Sequence, residues 1–297
     1  MNTPAALEHW NGEDVGLADV ENALAKLRAA SAPSGGPPNL RTSVMTHLAW
    51  VPADWQTQAR AALAGMAEQH PSRAILLFPD PDSGLNSIDA DVSLESYAIP
   101  GADRNISSEV IELRLHGTRA KAPASIVEPL LISDLPVFLR WRAAPTWESQ
   151  ELDQLVRIAD RLIVDSTEWD DLPYPYTRLA QLFDRTAVSD IAWARTSRWR
   201  TILAGLWPGI AEVGTVRVHG TAAQAHLIAG WLRSRLDRPE IAMEHVDAER
   251  LEGIALDGEP VSFPPGDPPA PSDVLSDELD RFTRDPVYEA AVLATTQ

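Results

Sequence analysis

Apolar positions along this chain follow two rhythms, one of about 3.6 residues and one of two, and the rhythms alternate from Leu40 onward. Before that point, residues 13–30 carry Val20, Leu24 and Leu27 at helical spacing, and SAPSGGPP at 31–38 reads as a loop or linker. RTSVMTHLAWV then predicts a strand. Residues 54–68 predict a helix with Trp55, Ala59, Leu63 and Met66 on one face. RAILLF is a continuous apolar run, as expected of a strand buried on both faces. DADVSLESYAI and SSEVIELRLHG follow as two successive strands. In the second, Ile111, Leu113 and Leu115 point one way, and Glu112, Arg114 and His116 the other. A short helix near 124–132 leads to the strand PVFLRWR.

The second half continues the alternation. It predicts a helix over 149–160, the strand RLIVDS, a helix near 174–184 and a single helix from about 190 to 207. The strand TVRVHG, a helix over 221–236 and a hairpin in EIAMEHVDAERLEGIALDG come next. PVSFPPGDPPAP, with six prolines in twelve residues, is a loop, and 273–294 is helical. Alternating strands and helices indicate an α/β class. The expected architecture is two α/β lobes with mixed sheets flanked by helices, plus an N-terminal helical appendage and a C-terminal helix. The expected domains are an appendage and linker over 1–38, an N-terminal α/β domain over 39–147 and a C-terminal α/β domain over 148–297.

Composition narrows the function. The 297 residues are ample for a sizeable core. A net charge of −18 argues against nucleic acid and anionic membrane surfaces as partners. The absence of cysteine excludes disulfides, thiolate catalysis and Cys-ligated metal. No apolar stretch is long enough to span a bilayer and no signal peptide is visible, so a cytoplasmic location is expected. Of 25 basic residues only Lys26 and Lys121 are lysine, and ten of the aromatic residues are tryptophan. Arginine suits bidentate, partly desolvated contacts, and tryptophan suits interface anchors.

Catalytic signatures are missing: there is no G-x-G-x-x-G, no Walker loop, no nucleophile elbow and no closely spaced histidine pair. Four places remain. On DLPVFLRWR, Arg140 and Arg142 share one strand face and Trp141 takes the other; the arginines form an anion receptor or a solvated pair. Asp165 and Ser166 end a buried strand, where α/β folds bind ligands, or serve there as a cap. In DIAWARTSRWRTILAGLW, a helical reading places Ala192, Trp199, Leu203 and Leu206 on one apolar arc with Arg195 inside it. That arginine needs an acid, an aromatic face or a partner protein. HPSR at 70–73 joins a helix to a strand and has a structural role.

Read in order, HPSRAILL, SSEVIELRLHG, EPLLISDLPVFLRWR, ADRLIVDS, DIAWARTSRWR and AGWLRSRL resemble the glucose-6-phosphate dehydrogenase assembly protein family (OpcA) over about residues 40–240. The resemblance implies a non-catalytic, cofactor-free partner that binds glucose-6-phosphate dehydrogenase and promotes its active oligomer. Arg140, Trp141, Arg142, Trp193, Arg195, Trp199 and Arg200 are then the expected partner-binding residues, and Asp165 and Ser166 a possible ligand edge. The alternative is an α/β enzyme or sensor that binds a sugar phosphate or another small anion.

Overall fold

The structure, a computed structural model, describes residues 6–31, 43–66, 72–98, 105–263, 271–281 and 283–296. His70 and Pro71 of the HPSR corner, residues 32–38 of the first loop and residues 264–270 of the proline-rich stretch lie outside these. The chain divides into two compact units, Met1–Leu162 and Ile163–Gln297.

The first unit contains β1 (Ala6–Gly12), α1 (Leu17–Ala30), β2 (Thr46–Trp50), α2 (Gln56–Met66), β3 (Arg73–Asp80), β4 (Ile88–Ala98) and β5 (Asn105–His116). It continues through α3 (Pro123–Val127), β6 (Val137–Trp141) and α4 (Gln150–Ile158), and β7 (Arg161–Val164) begins at its end. Its strands lie in the order β1-β4-β5-β3-β2-β6. β5, β3, β2 and β6 run parallel to one another, whereas β4 is antiparallel to both β5 and β1. The two successive strand patterns near 87–116 therefore make the mixed sheet that the sequence predicts. β2 and β6 are buried along their whole length, and β3 from Arg73 to Phe78, because helices or loops cover both faces of a parallel sheet. Ala49, Val51, Ala59, Ala74, Leu76 and Phe78 form one core cluster, with Trp55 and Leu63 packed against it.

β1 is the strand that periodicity misses. ALEHWNG lacks a clean apolar alternation, and it pairs with residues 90–96 far along the chain. The N-terminal appendage therefore docks on its own body. α1 follows it onto β4 and is held by ions: Arg28 Nε and Arg73 Nε donate to the two oxygens of the buried Glu109, at 2.6 and 2.9 Å. Arg73 Nη1 also reaches Glu21 at 3.3 Å.

The second unit contains α5 (Tyr174–Ala180), β8 (Ala187–Asp190), α6 (Ile191–Arg195), α7 (Ser197–Gly205), β9 (Thr215–Gly220) and α8 (Ala222–Leu236). β10 (Ala242–Asp247), β11 (Gly253–Leu256), β12 (Glu259–Pro260), α9 (Pro271–Leu279) and α10 (Pro286–Leu293) complete it. Three expectations change here. The helix predicted over 190–207 is two, because the backbone N–H and hydroxyl of Thr196 both bond the Trp193 carbonyl and tighten the turn. Its first residue, Asp190, ends β8 instead. The predicted hairpin is not one: β9 lies between β10 and β11, parallel to the first and antiparallel to the second. The C-terminal helix is broken, because Asp285 caps a new helix that starts at Pro286. α8 and α10 pack closely: a Cβ on Gly230 would come within 2.2 Å of the Ala291 carbonyl oxygen.

Candidate functional site

In the second unit, the ends of β7 and β8 place three acceptors side by side. β7 delivers Asp165 and Ser166; β8 delivers Asp190, which N-caps α6 by accepting from Ala192 N at 2.9 Å. Ser166 donates to Asp190 twice, through its backbone N–H at 3.0 Å and its hydroxyl at 2.6 Å. Tyr176 from α5 donates to Ser166 Oγ at 2.9 Å, and Tyr288 from α10 donates to Asp190 Oδ2 at 3.3 Å. Asp190, Ser166, Tyr176 and Tyr288 are fully buried. Burial, followed by the charge of Asp165, pushes the Asp190 carboxyl up to about 7. Burial and the charge of Asp190 also push both tyrosine hydroxyls well above their usual value, so they stay protonated donors.

Asp165 faces a second group. Its Oδ1 accepts from the backbone N–H and hydroxyl of Thr167, at 3.2 and 2.6 Å, and its Oδ2 pairs with Arg195 Nη1 at 3.0 Å. Two places that the sequence marks separately, the strand end and the arginine in the apolar arc, thus meet in one ion pair. Arg195 has its acid. The Asp165 side chain is 6% exposed and the Arg195 side chain 32%. Asp165, Ser166, Asp190 and Thr167 spend their polar groups on one another.

Beside this network, Trp193 donates its indole N–H to Asp285 at 3.0 Å and packs against Tyr288 with ring centroids 5.7 Å apart. Arg200 lies over the Trp193 ring at 3.4 Å, and its Nε donates to Thr196 Oγ1. Burial lowers the Arg200 guanidinium to about 10, so it stays charged at neutral pH. Trp199 is buried, with Phe263 against it at 5.3 Å. Ala192 and Leu203 of the predicted arc are buried, and Leu206 is exposed.

The remaining predicted residues belong to the first unit. Trp141 is 3% exposed and stacks on Trp50, its partner in the β2–β6 register, at 5.1 Å and 21°. Arg140 is buried and donates to the Trp141 carbonyl. Arg142 extends the ladder by donating its backbone N–H to the Trp50 carbonyl, and its guanidinium lies 4.5 Å from the Trp55 ring. The described residues contain no cluster set to hold a metal ion. A cleft lined by Arg60, Asp89, Asp91, Glu112 and Arg114 has internal pairings, with Arg60 bidentate on Glu112 and Asp89 bonded to His116.

Two family profiles match the chain in tandem. The profile for the N-terminal domain of the glucose-6-phosphate dehydrogenase subunit matches residues 64–182, and the profile for its C-terminal domain matches 186–263. The chain belongs to the OpcA family of glucose-6-phosphate dehydrogenase assembly proteins. Three cyanobacterial proteins with the provisional name OxPP cycle protein OpcA are similar to it. The protein of Synechococcus elongatus is 29% identical over 182 residues, 58% of this chain and 41% of that protein. That of Nostoc punctiforme is 28% identical over 211 residues, 65% of this chain and 44% of that protein. That of Synechocystis is 27% identical over 186 residues, 58% of this chain and 38% of that protein. The chain thus spans about four-tenths of the length of these OpcA relatives.

Every residue of the predicted site set falls within the profile-matched segments. Asp190, Tyr176, Tyr288 and Asp285 are not among the residues that the sequence marks. For Asp190 and Asp285 a signal exists: an acid immediately before a helical run is an N-cap signature. For the tyrosines there is none, since Tyr288 meets Asp190 across 98 residues of chain.

Proposed function

We propose that this chain is a non-catalytic, cytoplasmic partner of glucose-6-phosphate dehydrogenase that binds the enzyme and promotes its active oligomer. The tandem match to both family domains, across 64–182 and 186–263, carries the reading. The chemistry of the strand ends supports it: the acids, hydroxyls and Arg195 that could have formed a ligand site bond one another. The physical requirement is differential affinity. A partner that binds the active oligomer tenfold more tightly than the inactive form shifts their ratio by at most that factor, and one with equal affinity shifts nothing. Arg142, Arg195 and Arg200 retain partial exposure, and we assign them direct contacts. Arg140 and Trp141 in the first unit, and Trp193 and Trp199 in the second, are buried, and we assign them the role of fixing the arginines of their own unit.

The test mixes the purified chain with the dehydrogenase and follows mass by light scattering and NADPH by absorbance. A complex, a larger oligomer and faster NADPH production are expected, with no turnover by the chain alone. Turnover by the chain alone, or failure to form a complex, overturns the proposal. Tight binding of glucose 6-phosphate by the chain alone would favour a sugar-phosphate sensor instead.

A further inference from the structure

Between Arg200 and Glu212 the chain runs for eleven residues without a charge, TILAGLWPGIA, in a protein whose net charge is −18. Isoleucine and leucine at 202 and 203 turn inward to different degrees, and Ile210 is buried. The stretch Ala204–Gly209 between them is exposed at every position. Leu206 is 42% exposed and Trp207 is 66% exposed, at the end of α7. The turn that carries them is closed by backbone bonds: Leu206 N to the Leu203 carbonyl, Trp207 N to Ala204, and Ile210 N to Leu206. Trp207 is therefore displayed by a bonded turn.

Two glycines flank this display, and the fold of this chain explains neither. Gly205 and Gly209 do not adopt a left-handed backbone, and a Cβ on either would meet open space. Gly205 also lies in the last turn of α7, where glycine is less stable than alanine. The bare backbone on both sides of Leu206–Trp207 would let another surface approach closely. A large exposed indole within an uncharged stretch of chain has the composition of an interface hot spot.

We infer that Leu206 and Trp207 anchor this chain to the dehydrogenase by entering an apolar recess on that enzyme, with Gly205 and Gly209 admitting its rim. The inference rests on the proposed function. A second copy of this chain is the poorer occupant, because two chains each of charge −18 repel one another on approach.

The experiment measures dehydrogenase binding by the full chain and by the variants Trp207→Ala, Leu206→Ser and Gly205→Ala, with circular dichroism and melting curves on each. Trp207→Ala is expected to weaken binding by about thirtyfold and to leave the melting temperature unchanged, since the side chain is largely in water. Gly205→Ala is expected to hold or raise the melting temperature and still to weaken binding by about fivefold or more, a combination that a purely structural role for Gly205 would not give. If the unmodified chain binds and all three variants bind equally well, the anchor is placed wrongly. If the unmodified chain does not bind, the proposed function falls, and this inference with it. If sedimentation shows a dimer of the chain that Trp207→Ala dissolves, the occupant is a second copy and the inference is overturned.

Discussion

Asp190 is a carboxyl group sealed from water with four donors aimed at it: two from Ser166, one from Ala192 and one from Tyr288. Burial and the neighbouring Asp165 charge raise its pKa from 3.8 to about 7, and the hydrogen bonds from Ser166 and Ala192 restrain the rise. A raised folded-state pKa means that the folded chain holds the proton more tightly than the unfolded chain. Its contribution to stability is therefore fully present below about pH 4 and is lost as pH rises through about 7, an effect on the order of 4 kcal/mol for a shift of this size. Asp190→Asn removes the titration. Urea unfolding of both proteins at pH 5 and pH 8 is expected to show the variant gaining on the unmodified chain at the higher pH. A difference independent of pH would show that Asp190 does not titrate in this range.

At the scale of elements, Glu109 works in the opposite sense. Burial raises its carboxyl, but the bonds and charges of Arg28 and Arg73 more than offset that and hold it below the ordinary range. Its contribution is therefore present above about pH 4.5 and fades as pH falls. Glu109 is the peg that fastens α1 to β3 and β5. Glu109→Gln keeps the shape and removes the charge from two arginines, one of them buried. The expected cost is about 2 kcal/mol in urea unfolding at pH 7, with faster amide exchange along α1. Unchanged exchange there would mean that Val20, Leu24 and Leu27 hold the helix without the ions. Elements such as β5 and α4 were legible because each buries one face, so Ile111, Leu113 and Leu115, or Leu152, Leu155 and Val156, reveal the period. β1 was illegible because its strand character comes from pairing with residues 90–96. The break at Thr196 was hidden because the apolar arc continues across it, while the side chain that breaks the helix bonds only locally. In the candidate site, the arginine and the strand-end acid were legible one by one. Their meeting was not, since nothing in local spacing joins Asp165 to Arg195 or Ser166 to Asp190.

On the scale of the whole molecule, order in the sheet and order in the chain disagree. β1 precedes the other strands among the described residues, yet Ala6 and Gly12 pair with Ser96 and Ala90. At about 5 to 20 residues per second a ribosome takes on the order of 4 to 16 s to make the intervening chain. During that interval β1 has no strand to pair with, and Arg28 has no Glu109, which is made later still. β1 and α1 must therefore wait, unpaired, while β2 and β3 form. Stalled nascent chains make this measurable. A chain with only its first 80 residues outside the ribosome should lose β1 and α1 to a brief protease pulse, whereas one with 150 residues outside should keep them. Synthesis thus sets a minimum delay on the first unit, and any protease or competing strand that acts faster meets an unpaired N-terminal segment.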